Sequence, residues 1–101
     1  MTENKAWLNL LGLVLRAGKL VTGEELVVKA IQKQKVNLVI LSEDASENTR
    51  KKVLDKCSFY NTPCIVKGDR ETIGRAIGKA ERVVIGISDQ GFAKKIRSII
   101  E

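Results

Sequence analysis

Asn37-Leu38-Val39-Ile40-Leu41, followed by Ser42-Glu43-Asp44-Ala45, is the stretch on which the fold turns. A strand with one face in water alternates apolar and polar residues, whereas a strand that is apolar throughout must be covered on both faces. The run therefore predicts a central strand beneath two layers of helix. Pro63 suits the start of a second strand over Cys64 to Val66, and Arg82 to Ile87 reads as the last strand.

Between these runs the apolar spacing turns helical. Trp7, Leu8, Leu11, Val14 and Leu15 form the inward stripe of a first helix that Gly18 ends. After Lys19 to Thr22, a second helix is expected to place Leu26, Val27, Ala30 and Ile31 inward. Ser46 can cap a third helix that buries Val53, Leu54 and Cys57 and ends near Tyr60 and Asn61. Asp69 can cap a short helix through Ile77, and Ser88 a last one whose inward face is Phe92, Ile96, Ile99 and Ile100. Helices alternating with short apolar strands predict an α/β domain with its sheet between helical layers.

With 101 residues, 44% of them hydrophobic, the chain fits one domain over residues 1–101. Its longest apolar runs fall far short of the roughly 18 residues a membrane span requires. Met1 to Lys5 lacks the sections of a signal peptide, so the cytoplasm is the expected compartment. Cys57 and Cys64 stand seven apart without a CxxC or any histidine, which predicts reduced thiols rather than a disulfide framework or a metal site. The absence of histidine removes the side chain most used for acid–base work near neutral pH, and no carboxylate pair or serine triad replaces it. A non-enzymatic role without a cofactor is expected. Eighteen Lys and Arg against twelve Asp and Glu give +6, which favours phosphate-rich partners without specifying one.

Three groups of residues can meet such a partner. Glu25, Lys29 and Lys33 recur at i, i+4 and i+8 and so share one side of the second helix. Lysine can donate to a guanine edge or a phosphate, and glutamate can accept from a base amino group; the plain alternative is a Glu25–Lys29 ion pair on a solvated face. Gly23 precedes the same helix, whose first N–H groups can face a phosphate, although a glycine that only permits a tight turn looks the same in sequence. Lys19 and Glu24 flank this start. Gly18-Lys19 is not a nucleotide-binding loop, because the Gly-Lys-Ser/Thr ending is missing. Val66-Lys67-Gly68-Asp69-Arg70 forms a strand-end turn with two cations and a flexible point at Gly68, where a nucleotide can be accommodated.

Three stretches taken together carry a resemblance: Gly18-Lys19 through Gly23-Glu24-Glu25 to Lys29-Ala30, then Leu38 to Ala45, then Pro63 through Ile73-Gly74-Arg75-Ala76-Ile77-Gly78. In order and spacing the chain resembles the kink-turn-binding ribosomal protein family over nearly its full length, most nearly the bacterial YlxQ-like members. The resemblance implies a three-layer α/β/α sandwich with a mixed four-stranded sheet. It further implies binding of a sharply bent RNA internal loop, a kink-turn with tandem sheared G·A pairs, and ribosome association. Carried over by position, Gly23, Glu24, Glu25, Lys29 and Lys33 face the G·A pairs and adjoining phosphates, and Val66 to Arg70 a flipped-out nucleotide. The family's Asn-Glu pair at the helix start aligns here with Glu25-Leu26 or, shifted by one, with Glu24-Glu25, and in either register the amide donor is missing. The other reading is a ribosome-associated or protein-interaction subunit that keeps the fold without specific kink-turn recognition.

Overall fold

A computed structural model describes residues 5–100. Residues 1–4 and 101 lie outside them, so the expectation of no leader at Met1 to Lys5 falls largely beyond the described chain. The elements run α1 (Ala6–Arg16), β1 (Leu20–Thr22), α2 (Glu24–Gln32), β2 (Leu38–Leu41), α3 (Glu47–Phe59), β3 (Cys64–Val66), α4 (Arg70–Ala76), β4 (Val84–Ile87) and α5 (Gln90–Ile100). No helix among the described residues is long and apolar enough to cross a membrane.

The sheet has the order β1-β4-β2-β3, with β2 parallel to β3 and antiparallel to β4, which is itself antiparallel to β1. β2 is thus central, and each of its four side chains is fully buried. At about 1.5 to 3 kcal/mol for each fully buried Leu, Ile or Val, this strand alone gains roughly 6 to 12 kcal/mol before entropy. That is comparable to the net stability of a whole domain, commonly about 5 to 15 kcal/mol. Successive side chains point to opposite faces. Leu38 and Ile40, with Ile85 and Ile87 of β4, pack against α1, α4 and α5 through Trp7, Leu11, Val14, Ile73 and Ile96. Val39, Leu41 and Val84 pack against α2 and α3 through Val27, Ile31, Val53 and Cys57. The result is the expected mixed, four-stranded sheet between helical layers.

Several local expectations are corrected. Lys19 to Thr22 contains a strand, β1, at the sheet's edge; three half-buried residues carry too little pattern to announce it. In α1 the buried stripe includes Leu10, while Leu15, at the stripe's margin in the last turn, is 37% exposed. In α2 only Val27 and Ile31 are buried, Ala30 is partly so, and Leu26 is 60% exposed. At 100° per residue Leu26 falls beside Lys29 and Lys33, on the solvent side. The last strand begins at Val84 rather than Arg82. Ser88 does not cap α5: the Asp89 carboxylate accepts the Phe92 N–H at 2.8 Å, while the Ser88 hydroxyl donates to the Lys19 carbonyl at 3.1 Å. The other caps stand as expected, with Ser46 accepting from Thr49 N–H at 3.2 Å and Asp69 from Thr72 N–H at 2.7 Å.

Cys57 and Cys64 are free thiols, one on α3 and one opening β3. Its hydrogen bond to Cys64, together with burial, pushes the Cys57 thiol up and keeps it protonated. No cluster of metal-ligating residues exists among the described residues.

The segment between α4 and β4 depends on a close approach at Gly74, which is buried in α4. A Cβ there would stand 2.8 Å from the Ala80 carbonyl oxygen and the Glu81 Cα, which are main-chain atoms with no rotamer to change. At Gly12 of α1 a Cβ would meet only the Ala76 carbonyl oxygen, at an ordinary 3.5 Å. Gly74→Ala should therefore destabilise by about 1 to 3 kcal/mol, and Gly12→Ala should stabilise by roughly 0.5 to 1 kcal/mol. Urea unfolding of both variants checks this; equal midpoints would show that the Gly74 contact relaxes without cost.

Candidate nucleic-acid interface

All four strands end, or begin, along one edge of the sheet. Gly23 N–H donates to the Val84 carbonyl at 3.2 Å, Ser42 N–H to the Val83 carbonyl at 2.8 Å, and Lys67 N–H to the Leu41 carbonyl at 3.0 Å. These bonds set the start of α2, the β4 entry, the β2–α3 loop and the β3–α4 loop side by side. Three strand spacings separate the first from the last, about 14 Å.

At one end of this edge stands α2. Gly23 adopts φ +95°, a conformation disfavoured for L side chains, and provides no side-chain cap. The first bond within the helix is Val27 N–H to the Gly23 carbonyl, so the N–H groups of Glu24, Glu25 and Leu26 precede it and form the helix's positive end. The two neighbouring glutamates part here. Glu24 turns toward α3, where its carboxylate accepts from the Thr49 hydroxyl at 2.7 Å and pairs with Lys52 at 3.1 Å. Glu25 is exposed on the same side as Lys29 and Lys33, and no ion pair joins Glu25 to Lys29 among the described residues. The stripe is thus open, with Leu26 as its apolar margin.

At the other end two loops are bound together. Glu43 and Gly68 exchange bonds, Glu43 N–H to the Gly68 carbonyl at 2.7 Å and Gly68 N–H to the Glu43 carboxylate at 3.3 Å. Asp44 accepts from the Arg70 N–H at 3.1 Å and its Nε at 3.3 Å, and the Asp44 carbonyl accepts from Arg70 Nη2 at 2.6 Å. Five guanidinium N–H donors less these two leave three for an external acceptor. Arg50 Nη2 donates to the Glu43 carbonyl at 3.2 Å, and Arg82 N–H to the Arg70 carbonyl at 3.0 Å. Gly68, read from sequence as a flexible point, is instead packed down at φ +74°. A Cβ on it would stand 3.1 Å from Trp7 Cη2. Any side chain there disturbs the core as well as the loop.

The structure thus gathers Gly23, Glu25, Lys29, Val66, Lys67, Gly68, Asp69 and Arg70 on or next to one edge. Lys33 caps the far end of α2. Lys19 is not with them: its carbonyl accepts from Ser88 N–H at 2.9 Å at the opposite edge, four residues or about 13 Å from Gly23 along the strand. Glu24 is beside the edge, but its carboxylate is occupied. Sequence reasoning missed Glu43, Asp44, Thr49, Arg50 and Arg82. The only available signal was an acidic pair immediately after the central strand, where loops carry function.

Three carboxyls of this region are held below their ordinary values. Glu24 is lowered by the Thr49 hydroxyl and then by Lys52, and Asp69 by the Thr72 N–H. Asp44 is lowered by the buried Ser42 hydroxyl and then by Arg70. Because each is lower when folded, the unfolded chain binds more protons, so the stability they supply is present above the ordinary carboxyl values and is lost as pH falls through the folded ones. Stability should decline between about pH 5 and pH 2, and Asp44→Asn should flatten that decline. Thermal unfolding of both proteins across this range decides it; parallel acid limbs would remove Asp44 from the account.

Comparison with known proteins agrees with this architecture. The RNA-binding protein YlxQ of Bacillus subtilis (strain 168) is 50% identical over 95 residues, covering 94% of this chain and 95% of its own. The solved structure of a protein with unknown function from Bacillus halodurans C is 57% identical and superposes with a TM-score of 0.93, covering 96% of this chain and 98% of its own. The Giardia lamblia 15.5kD RNA binding protein, at 22% identity, has the same fold, with a TM-score of 0.76 over 97% of this chain and 91% of its own. The pattern of the Ribosomal protein L7Ae/L30e/S12e/Gadd45 family matches residues 5–97, and the chain belongs to that family.

Proposed function

We propose that the protein is a non-enzymatic, cytoplasmic RNA-binding module that takes a kink-turn, a bent internal loop with tandem G·A pairs, on the edge just described. The observation that carries this reading is the open Glu25–Lys29–Lys33 stripe beside an uncapped helix start, facing across the edge toward a loop rigidly tied by Glu43 and Asp44. RNA with unpaired or non-canonical bases offers base edges that such a surface can reach. Lys29 donates to a guanine edge, Glu25 accepts from a base amino group, and the N–H groups at the start of α2 receive a phosphate. The turn from Val66 to Arg70 holds a displaced nucleotide, with the spare Arg70 donors toward its phosphate. Glu25 cannot supply the amide donor of the family's asparagine, which shifts recognition toward Lys29 and the helix end. Ribosomal RNA is one natural source of such a loop.

A second reading draws on Leu26. A leucine 60% exposed, where the family carries glutamate, suits an apolar protein contact in a subunit that keeps the fold without reading G·A pairs.

Lys29→Ala should cost roughly 1 to 3 kcal/mol on an RNA with tandem G·A pairs and much less on one without them. Lys51→Ala is the control, an exposed α3 lysine without an ion pair among the described residues; Lys52 does not serve, since it holds Glu24. Four affinities at one salt concentration separate the readings, and equal losses for both variants on both RNAs would reduce the stripe to a solvated basic face. Wild-type affinity should also fall steeply as salt rises, through release of condensed counterions. A flat salt response combined with a Leu26-dependent protein contact would favour the second reading.

A further inference from the structure

Most of the excess positive charge of this chain lies away from the candidate interface. The segments forming that interface, residues 23–29 with Lys33, 42–52, 67–75 and 82, carry nine cations against seven carboxylates. Residues 16–19, 34–37, 60–63 and 88–98, which meet at or extend from the opposite edge, carry six cations and one carboxylate, Asp89. That surplus of five is most of the net charge of the whole chain, +6, against a surplus of two at the interface. The two edges are a strand length apart, about 13 Å, which exceeds the Debye length of about 8 Å at physiological salt. The opposite edge therefore attracts anions on its own account.

A groove of about 680 Å³ opens there, within the range of small-ligand sites. α5 supplies Lys94 and Arg97 to one wall, and the turns that end α2 and α3 supply Gln34, Tyr60 and Asn61 to the other, with Asn37 between them. Among the described residues no carboxylate lines it. Gln34 and Asn61 both sit at positive φ, +55° and +56°, where glycine is the usual residue, so an amide is presented from each turn. Both turns are fixed by backbone bonds, Lys35 N–H to the Ala30 carbonyl and Thr62 N–H to the Cys57 carbonyl, each 2.8 Å. Next to Tyr60, in edge-on contact with a centroid separation of 4.8 Å, stands Phe59, 78% exposed. Phe59 is not itself part of the lining but adjoins it through Tyr60. An exposed aromatic ring adjoining a groove of cations and amides is a combination that suits single-stranded nucleic acid, with the ring stacking a base, the cations tracking phosphates and the amides meeting base edges.

We propose that this groove is a second RNA site, distinct from the sheet edge assigned above, and that it takes a short single-stranded segment with a base on Phe59 and its phosphates at Lys94. A protein with two such poles joins a folded internal loop to an unpaired strand.

The test uses the full chain and fluorescence anisotropy with a fluorescein-labelled oligouridylate, alongside a labelled hairpin containing tandem G·A pairs. Phe59 and Lys94 are exposed, so Phe59→Ala and Lys94→Glu should keep the fold, which circular dichroism verifies. Phe59→Ala should weaken oligouridylate binding about 5-fold or more, and Lys94→Glu should weaken it and lower the salt slope by about one. Lys29→Ala should leave oligouridylate affinity unchanged. Absent oligouridylate binding by the wild-type chain, indifference to both substitutions, or equal loss with Lys29→Ala would overturn the proposal. So would equal displacement by polyglutamate, which would mark a surface for acidic protein. Loss of hairpin binding alone, with oligouridylate retained, would remove the internal-loop reading and leave this one standing.

Discussion

The central strand admits no exposure on any side. Leu38, Val39, Ile40 and Leu41 are fully buried, and both backbone edges of the strand are paired. An unsatisfied buried amide costs as much as a lost hydrogen bond, and an uncovered leucine forfeits its transfer energy, so neighbours on four sides are obligatory. Two helical layers and two flanking strands follow from that requirement. So does the gathering of loops at the ends, since polar chain can emerge only where the strand stops. Ser42, buried immediately after Leu41, marks that boundary, and Glu43 and Asp44 begin the wet side of it.

The emergent loops are held by carboxylates more than by apolar contacts. Glu24 fastens the start of α2 to α3, while Glu43 and Asp44 fasten the β2–α3 loop to the β3–α4 loop. Exposed ion pairs contribute little to global stability, but bonds to backbone N–H groups fix geometry. Acids placed for rigidity also neutralise the cations around them. The edge thereby gains shape and loses attraction, and long-range steering passes to the other end of the molecule.

What sequence disclosed follows from this division. β2, the helices and the caps at Ser46 and Asp69 are written in local pattern and were legible. β1 was not, because three half-buried residues at an edge show neither alternation nor an apolar run. Ser88 and Asp89 are both competent caps, and a bond from Ser88 to Lys19, 69 positions away, decides between them. Leu26 was assigned inward because one apolar residue next to Val27 looks like another; the layer is only wide enough for Val27 and Ile31. Of the candidate site, the shared helix side of Glu25, Lys29 and Lys33 and the turn at Gly68 were readable from spacing. The separate fates of Glu24 and Glu25, and the placement of Lys19 at the opposite edge, depend on pairings between distant segments that no window of sequence contains.

Gly68 rests against Trp7, the chain's only tryptophan, which is 1% exposed and whose indole N–H has no partner among the described residues. An indole so enclosed emits as in an apolar medium, and its far ring is covered by the loop that faces the proposed nucleotide. The protein thus carries its own optical probe at the point where the loop meets the core. Displacement of that loop would alter the indole's surroundings directly, so its colour and intensity would report such a movement without a label.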